Sequence, residues 1–201
     1  MKAGVTNTEK FEFSSANLSW AEAQVAKYPQ GRQASAVMAL LTRAQDQLGG
    51  WLTMAAVEYV ADYLSMPIMR VLEVATFYSM YRVEKPVGRH VIEICTTTPC
   101  WLRGSDDIVA AAEDELGIKM GGTTEDGEFT LLEVECAGAC VNAPVAAIHK
   151  RYYEDLTADS MRGIIKSLRD GNIPAAGPQI ERQKSAPAGG AKTLVEGGKN
   201  A

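Results

Sequence analysis

All four cysteines of this 201-residue chain fall in two close pairs, Cys95 and Cys100 in "EICTTTPCWLRGS" and Cys136 and Cys140 in "EVECAGACVNAP". Each pair follows a run that reads as a buried strand. Either the pairs arose separately, or one site is assembled from two loops that the fold must bring to the same end of a sheet. The second case constrains the topology strongly, because residues some 35 positions apart must converge.

Little else in the chain competes for that role. The N-terminus "MKAGVTNTEKFEFSSANLSW" has neither the apolar core of a signal peptide nor an Arg-rich, acid-poor transit character, and no apolar run approaches the roughly 18 to 20 residues of a membrane span. A cytoplasmic chain is the expectation. Disulfides are rare in that setting, so paired cysteines point to metal or redox chemistry; four small buried hydrophobes are the plain alternative. A net charge of -5 and a pI near 5.2 give no basis for neutralising phosphates, which argues against nucleic acid.

The pattern changes along the chain. Residues 1–33 read as an N-terminal extension and 34–85 as a small helical bundle. Val37, Leu40, Leu41, Ala44 and Leu48 recur at helical spacing and stop at Gly49-Gly50. Thr53 is a plausible N-cap for a helix carrying Val57, Val60, Ala61 and Leu64, and Pro67 opens another with Ile68, Val71, Leu72 and Ala75. The last two helices also suggest a helix-turn-helix. However, "PIMRVLEVATFYSMY" offers few polar groups to read bases, and Phe77, Tyr78 and Tyr81 read as packing within the bundle or against another surface.

"RVEKPVGR", residues 82–89, reads as a linker into a second domain at 86–171. There "HVIEI", "FTLLEVE", "PVAAIH" and "RYYEDL" read as strands, with "IKM" as a further short one. "SDDIVAAAEDELG" reads as a helix capped by Ser105 and stopped by Gly117. Thr157 caps a last helix that Gly171 closes. The expected fold class is α+β: a helical bundle, then one mixed sheet with packed helices, as in small thioredoxin-like α/β domains. Residues 172–201, rich in Pro, Gly, Ala and Lys, are expected to form a disordered tail.

The pairs are spaced Cys-x4-Cys and Cys-x3-Cys. Sulfur ligands select zinc, copper(I) or iron-sulfur clusters. A structural four-cysteine zinc site in an interaction domain is the main alternative, although such sites favour C-x2-C; the wider bites suit the two irons of a [2Fe-2S] core. Thr96, Thr97 and Thr98 could give hydroxyl donors, and Ala137, Gly138 and Ala139 let backbone N–H groups approach. His90 and His149, the only histidines, read as surface or sheet-edge packing. The chain has no C-x-x-C motif, phosphate loop, calcium loop or nucleotide fingerprint, and so no catalytic, NADH or flavin site of its own.

On these motifs, with "YPQGRQASAVMALL", "WLTMAAVEYVADYL" and "EVATFYSMYR", residues 28–170 closely resemble the NuoE family, the 24 kDa [2Fe-2S] subunit of NADH:ubiquinone oxidoreductase (respiratory complex I). The resemblance implies a thioredoxin-like [2Fe-2S] ferredoxin domain in which Cys95 and Cys100 hold one iron and Cys136 and Cys140 the other. It implies as partners the NADH- and FMN-binding subunit and the large iron-sulfur subunit, in the peripheral arm on the cytoplasmic side of a bacterial inner-membrane complex. The role would be a one-electron station beside the flavin. Related subunits serve as diaphorase partners in NAD-linked hydrogenases and formate dehydrogenases. Two departures stand out: Ala137 where members often have Leu, and "AIHK" where an "IND" segment is usual.

Overall fold

A computed structural model describes residues 10–190. The chain divides into two compact units, Met1–Val87 and Gly88–Ala201. Among the described residues no helix is long and apolar enough to cross a membrane.

Among the described residues the first unit holds four α-helices, α1 Ser15–Val25, α2 Val37–Gln47, α3 Met54–Tyr63 and α4 Ile68–Phe77, and a short 3-10 helix, Gln33–Ala36. The first lies in what the sequence suggested was an extension. It carries no clean apolar stripe, and instead starts at Ser14, whose hydroxyl accepts the Asn17 amide, and follows an edge-packed aromatic group of Phe11, Phe13, Tyr59 and Tyr63. Thr53 caps α3 as expected, accepting from the Ala56 amide at 3.2 Å. Pro67 sits one position before α4 rather than inside it. Leu40, Leu41, Leu52, Val57, Val60 and Val71 form the core.

The aromatic cluster at the end of α4 splits. Tyr81 is buried, and its hydroxyl donates to the Met38 carbonyl at 2.9 Å, whereas Phe77 is 79% exposed. The linker segment is partly structured. Val83 bridges Leu52, and the Glu84 carboxylate accepts the Met54 amide at 2.6 Å, which closes the start of α3.

The second unit is a mixed five-stranded sheet in the order β2-β1-β3-β4-β5. Its strands are β1 His90–Cys95, β2 Phe129–Val134, β3 Ala146–Ile148, β4 Arg151–Glu154 and β5 Gly177–Pro178. Strand β1 pairs parallel with β2 and antiparallel with β3. A short helix, α5 Thr98–Leu102, follows β1. Two longer ones, α6 Ser105–Leu116 and α7 Ala158–Arg169, pack with the sheet. Ile92, Ile94, Phe129, Leu131, Ile148 and Tyr153 meet Ile108, Ala112, Met161, Ile164 and Ile165 in one core.

Several local expectations are corrected. Ser105 does not cap α6: Gly104, at φ +91°, takes the cap position, and Ser105 begins the helix fully buried. "IKM" forms no strand, because the chain turns at Gly117 and again at Gly121 and Gly122, and only Thr123 bridges to Thr130. His90 lies on an interior strand and is 4% exposed; its Nδ1 is 2.9 Å from His149 Nε2. His149 and Lys150, both at positive φ, form the two-residue turn joining β3 to β4. The described part of the expected tail runs along β4 as β5, and beyond it Arg182 lies 3.3 Å from the Asp155 carboxylate. Residues 191–201 of that tail lie outside the described residues.

Candidate metal centre

The sheet register brings the cysteines together. Cys95 is the last residue of β1 and stands opposite Val134, the last of the parallel strand β2, so the chain reaches Cys136 at the same sheet end two residues later. Strand β3 enters there too: the Cys95 amide donates to the Val145 carbonyl at 3.1 Å. Cys100 is carried back by α5, which starts after the extended Thr97 with Pro99 in its first turn. Cys140 opens a short 3-10 turn, Cys140–Asn142. Three of the four positions thus lie in a strand, a helix or a 3-10 turn, and Cys136 alone lies in a loop.

The four sulfurs form two unlike pairs. Cys95 and Cys100 are both 2% exposed and pack with Ala143 and Val145, with Ala137 and Ala139 beside them. Cys136 and Cys140 are exposed, with their sulfurs 3.6 Å apart. Charge on Cys95 acts on Cys136 and Cys140, and charge on Cys140 acts on Cys100, so the two pairs share one electrostatic environment.

Donors surround the sulfurs. The Thr97 hydroxyl is 3.3 Å from Cys95 Sγ and also reaches Cys136, while the Gly138 amide donates to Cys136 Sγ at 3.4 Å. Gly138 sits at φ +77°, a conformation that suits glycine and aims its N–H at the sulfur. The Ala137 amide points to Cys95 and the Val145 amide to Cys100. Of the three threonines, only Thr97 serves the sulfurs through its hydroxyl: Thr96 donates to Glu133 at 2.5 Å, and Thr98 begins α5 exposed.

These contacts set the protons. Burial alone would raise Cys95, but the bonds from Thr97, Ala137 and Cys100 outweigh it and hold its thiol below the usual value. Burial, followed by the bond that Cys100 donates to Cys95, pushes Cys100 up to about 12. The Gly138 amide, then Cys140 and Thr97, lower Cys136, and Cys140 is raised chiefly by its bond to Cys136. Within each pair one thiol is therefore the more acidic, Cys95 over Cys100 and Cys136 over Cys140, and it gives up its proton more readily to a metal.

The donor set fits a [2Fe-2S] cluster. It offers four soft thiolates in two pairs, with amide and hydroxyl donors aimed at sulfur and small side chains around them. The Ala137 amide contribution is the one its small side chain suggests in the sequence, whereas the Val145 and Tyr152 contributions have no signal there. The Tyr152 hydroxyl donates to the Ala137 carbonyl at 2.8 Å across the cysteine loop.

Comparison with known proteins agrees with this geometry. The profile of the thioredoxin-like [2Fe-2S] ferredoxin family matches residues 21–169. The NuoE-type subunit of NADH-quinone oxidoreductase from Rickettsia bellii is 54% identical over 170 residues, covering 85% of this chain and 99% of that protein. Its Rickettsia felis counterpart is 56% identical over 155 residues, covering 77% and 92%. Among solved structures, an NAD+-reducing [NiFe]-hydrogenase shares the fold at a TM-score of 0.59 and 22% identity, over 69% of this chain and only 23% of the hydrogenase chain. With a family match over most of its length and 54–56% identity across the aligned residues to relatives that it covers nearly end to end, the chain belongs to the thioredoxin-like [2Fe-2S] ferredoxins and, within them, to the NuoE-type subunits of NADH-quinone oxidoreductase.

Proposed function

We propose that this chain is an electron-transfer subunit of NADH:quinone oxidoreductase, in which Cys95 and Cys100 hold one iron of a [2Fe-2S] cluster and Cys136 and Cys140 hold the other. The observation that carries the ligand assignment is the delivery of both cysteine pairs to one sheet end by the β1–β2 register. The Rickettsia relatives, matched over nearly their whole length, support the role in the complex. Its partners in this reading are the subunit that binds NADH and FMN and the large iron-sulfur subunit, in the peripheral arm on the cytoplasmic face. A bound cluster supplies a one-electron couple.

The protein's own residues bind and tune that group. Cys95 and Cys136 present thiolates first, and the Thr97, Ala137, Gly138 and Val145 donors offset the charge that reduction adds. The apolar shell of Ala137, Ala143 and Val145 keeps water from the Cys95 side. Two-electron hydride chemistry belongs to the flavin-bearing partner.

Purified aerobically, the chain should be red-brown, with iron and sulfide in equal amounts and an EPR signal on reduction. Cys136→Ala should lose the signal. A colourless protein holding one zinc, or a Cys136→Ala variant with an unchanged cluster, refutes the assignment.

A further inference from the structure

We propose that Arg182 is a positioning residue for the turn that carries Cys140. The claim rests on the ligand assignment above and extends the cluster's support beyond the family match, which ends at residue 169. After β5 the chain folds back over the Cys140–Asn142 turn. A guanidinium nitrogen of Arg182 donates to the Val141 carbonyl at 3.2 Å and to the Asn142 side-chain oxygen, and its Nε donates to the Lys184 carbonyl at 3.0 Å. Asn142, itself buried, donates in turn to Glu154 and to the Lys184 carbonyl. Its own carbonyl accepts the Asp155 amide at 2.7 Å. The turn is therefore held between the end of β4 on one side and the returning segment on the other.

The side chains of Arg182 and Asp155 are each 9% exposed, and the Asp155 oxygen facing Arg182, itself buried, accepts no hydrogen bond. The guanidinium is therefore the charge that compensates that oxygen, and its removal would leave the oxygen buried and unpaired. Because Asp155 offsets the positive charge, Arg182 acts on the turn through its forked donors rather than through its field. A lysine, a single flexible point charge, cannot reproduce that fork. Groups bonded directly to a metal ligand typically change affinity by roughly 10–100-fold when lost, and Arg182 acts one residue further out, on the turn that holds Cys140, so that range is the upper bound for its loss.

The test uses the full chain with its cluster reconstituted, as wild type, R182Q, R182K and the double variant R182M/D155N. The double variant leaves no buried charge and so keeps the fold if R182Q does not. Loss of visible absorption to a chelator should be faster in every variant, by up to roughly 100-fold. The EPR line shape of the reduced protein should also change, with far-UV circular dichroism unaltered. Wild-type loss rates and line shapes in the folded variants overturn the proposal. So does full rescue by R182K, which would show that charge and not geometry acts. A wild-type chain that takes up no cluster overturns the ligand assignment itself, which separates that failure from failure of the Arg182 role.

Discussion

Replacing Thr97 with Val isolates one term in the potential of the proposed cluster. The hydroxyl is 3.3 Å from Cys95 Sγ and reaches Cys136 as well, so a single O–H serves both sulfur pairs. It does no other work nearby: Thr97 precedes α5 without capping it through its side chain. Valine keeps the shape and the β-branching, so backbone and packing should hold. A hydrogen bond to a charged acceptor is worth about 1.5–3 kcal/mol, against about 1 kcal/mol for a neutral one. The sulfurs are anionic in both redox states, so only part of that difference changes with the added electron. About 0.5–1 kcal/mol is a fair share, which at 59 mV per 1.4 kcal/mol is roughly 20–40 mV. The sign follows from the charge: the donor favours the more negative, reduced form, so its loss must lower the potential. An EPR-monitored redox titration of wild type and Thr97→Val reads this directly. An unchanged or raised midpoint would refute the reasoning.

Three further outcomes test the fold. Burial, then the neighbouring His149 and Arg89 charges, hold His90 below the ordinary histidine value against the opposing pull of Glu128, so the unfolded chain binds the proton more readily. Its contribution to stability is complete above about pH 6.5 and is lost as the pH falls below it; the chain should therefore unfold at lower urea at pH 5.5 than at 7.5, with that difference reduced in His90→Gln. Gly88→Ala would place a Cβ 2.7 Å from the Phe129 carbonyl carbon and 2.8 Å from its nitrogen, both backbone atoms of β2, and should cost roughly 1–3 kcal/mol in chemical denaturation. Thr157→Ala removes the capping box with Ser160 at the start of α7 and should cost about 1 kcal/mol by the same assay, with an unaltered cluster spectrum.

What could be read in the sequence was what local chemistry determines. Helical spacing from Val37 to Ala75 marked three helices because their apolar faces are built from nearby residues, and the alternating run "HVIEI" marked β1. Both cysteine pairs were visible as spacings, and their shared sheet end follows from a parallel register that no short stretch encodes. Helix α1 escaped notice because its order comes from a serine cap and from Phe11 and Phe13, which meet Tyr59 from α3. Ser105 was misread because a left-handed glycine one position earlier can start a helix without any side-chain oxygen. Residues 172–190 read as structureless by composition, and what holds them is long-range: Gly177–Pro178 pair with β4, the Pro174 carbonyl accepts the Tyr153 hydroxyl, and Arg182 meets Asp155, 27 positions away in the chain.

The unequal exposure of the two sulfur pairs gives the cradle a floor and a lip. Cys95 and Cys100 lie at the bottom, closed off by Ala143 and Val145, and Cys136 and Cys140 stand at the rim. If the four sulfurs hold the proposed cluster, iron and sulfide would reach it past the rim pair, and peroxide or a chelator would come the same way. Loading and damage would then share a doorway, with the rim pair setting how long a cluster lasts in the free chain and the floor pair setting whether one is seated at all.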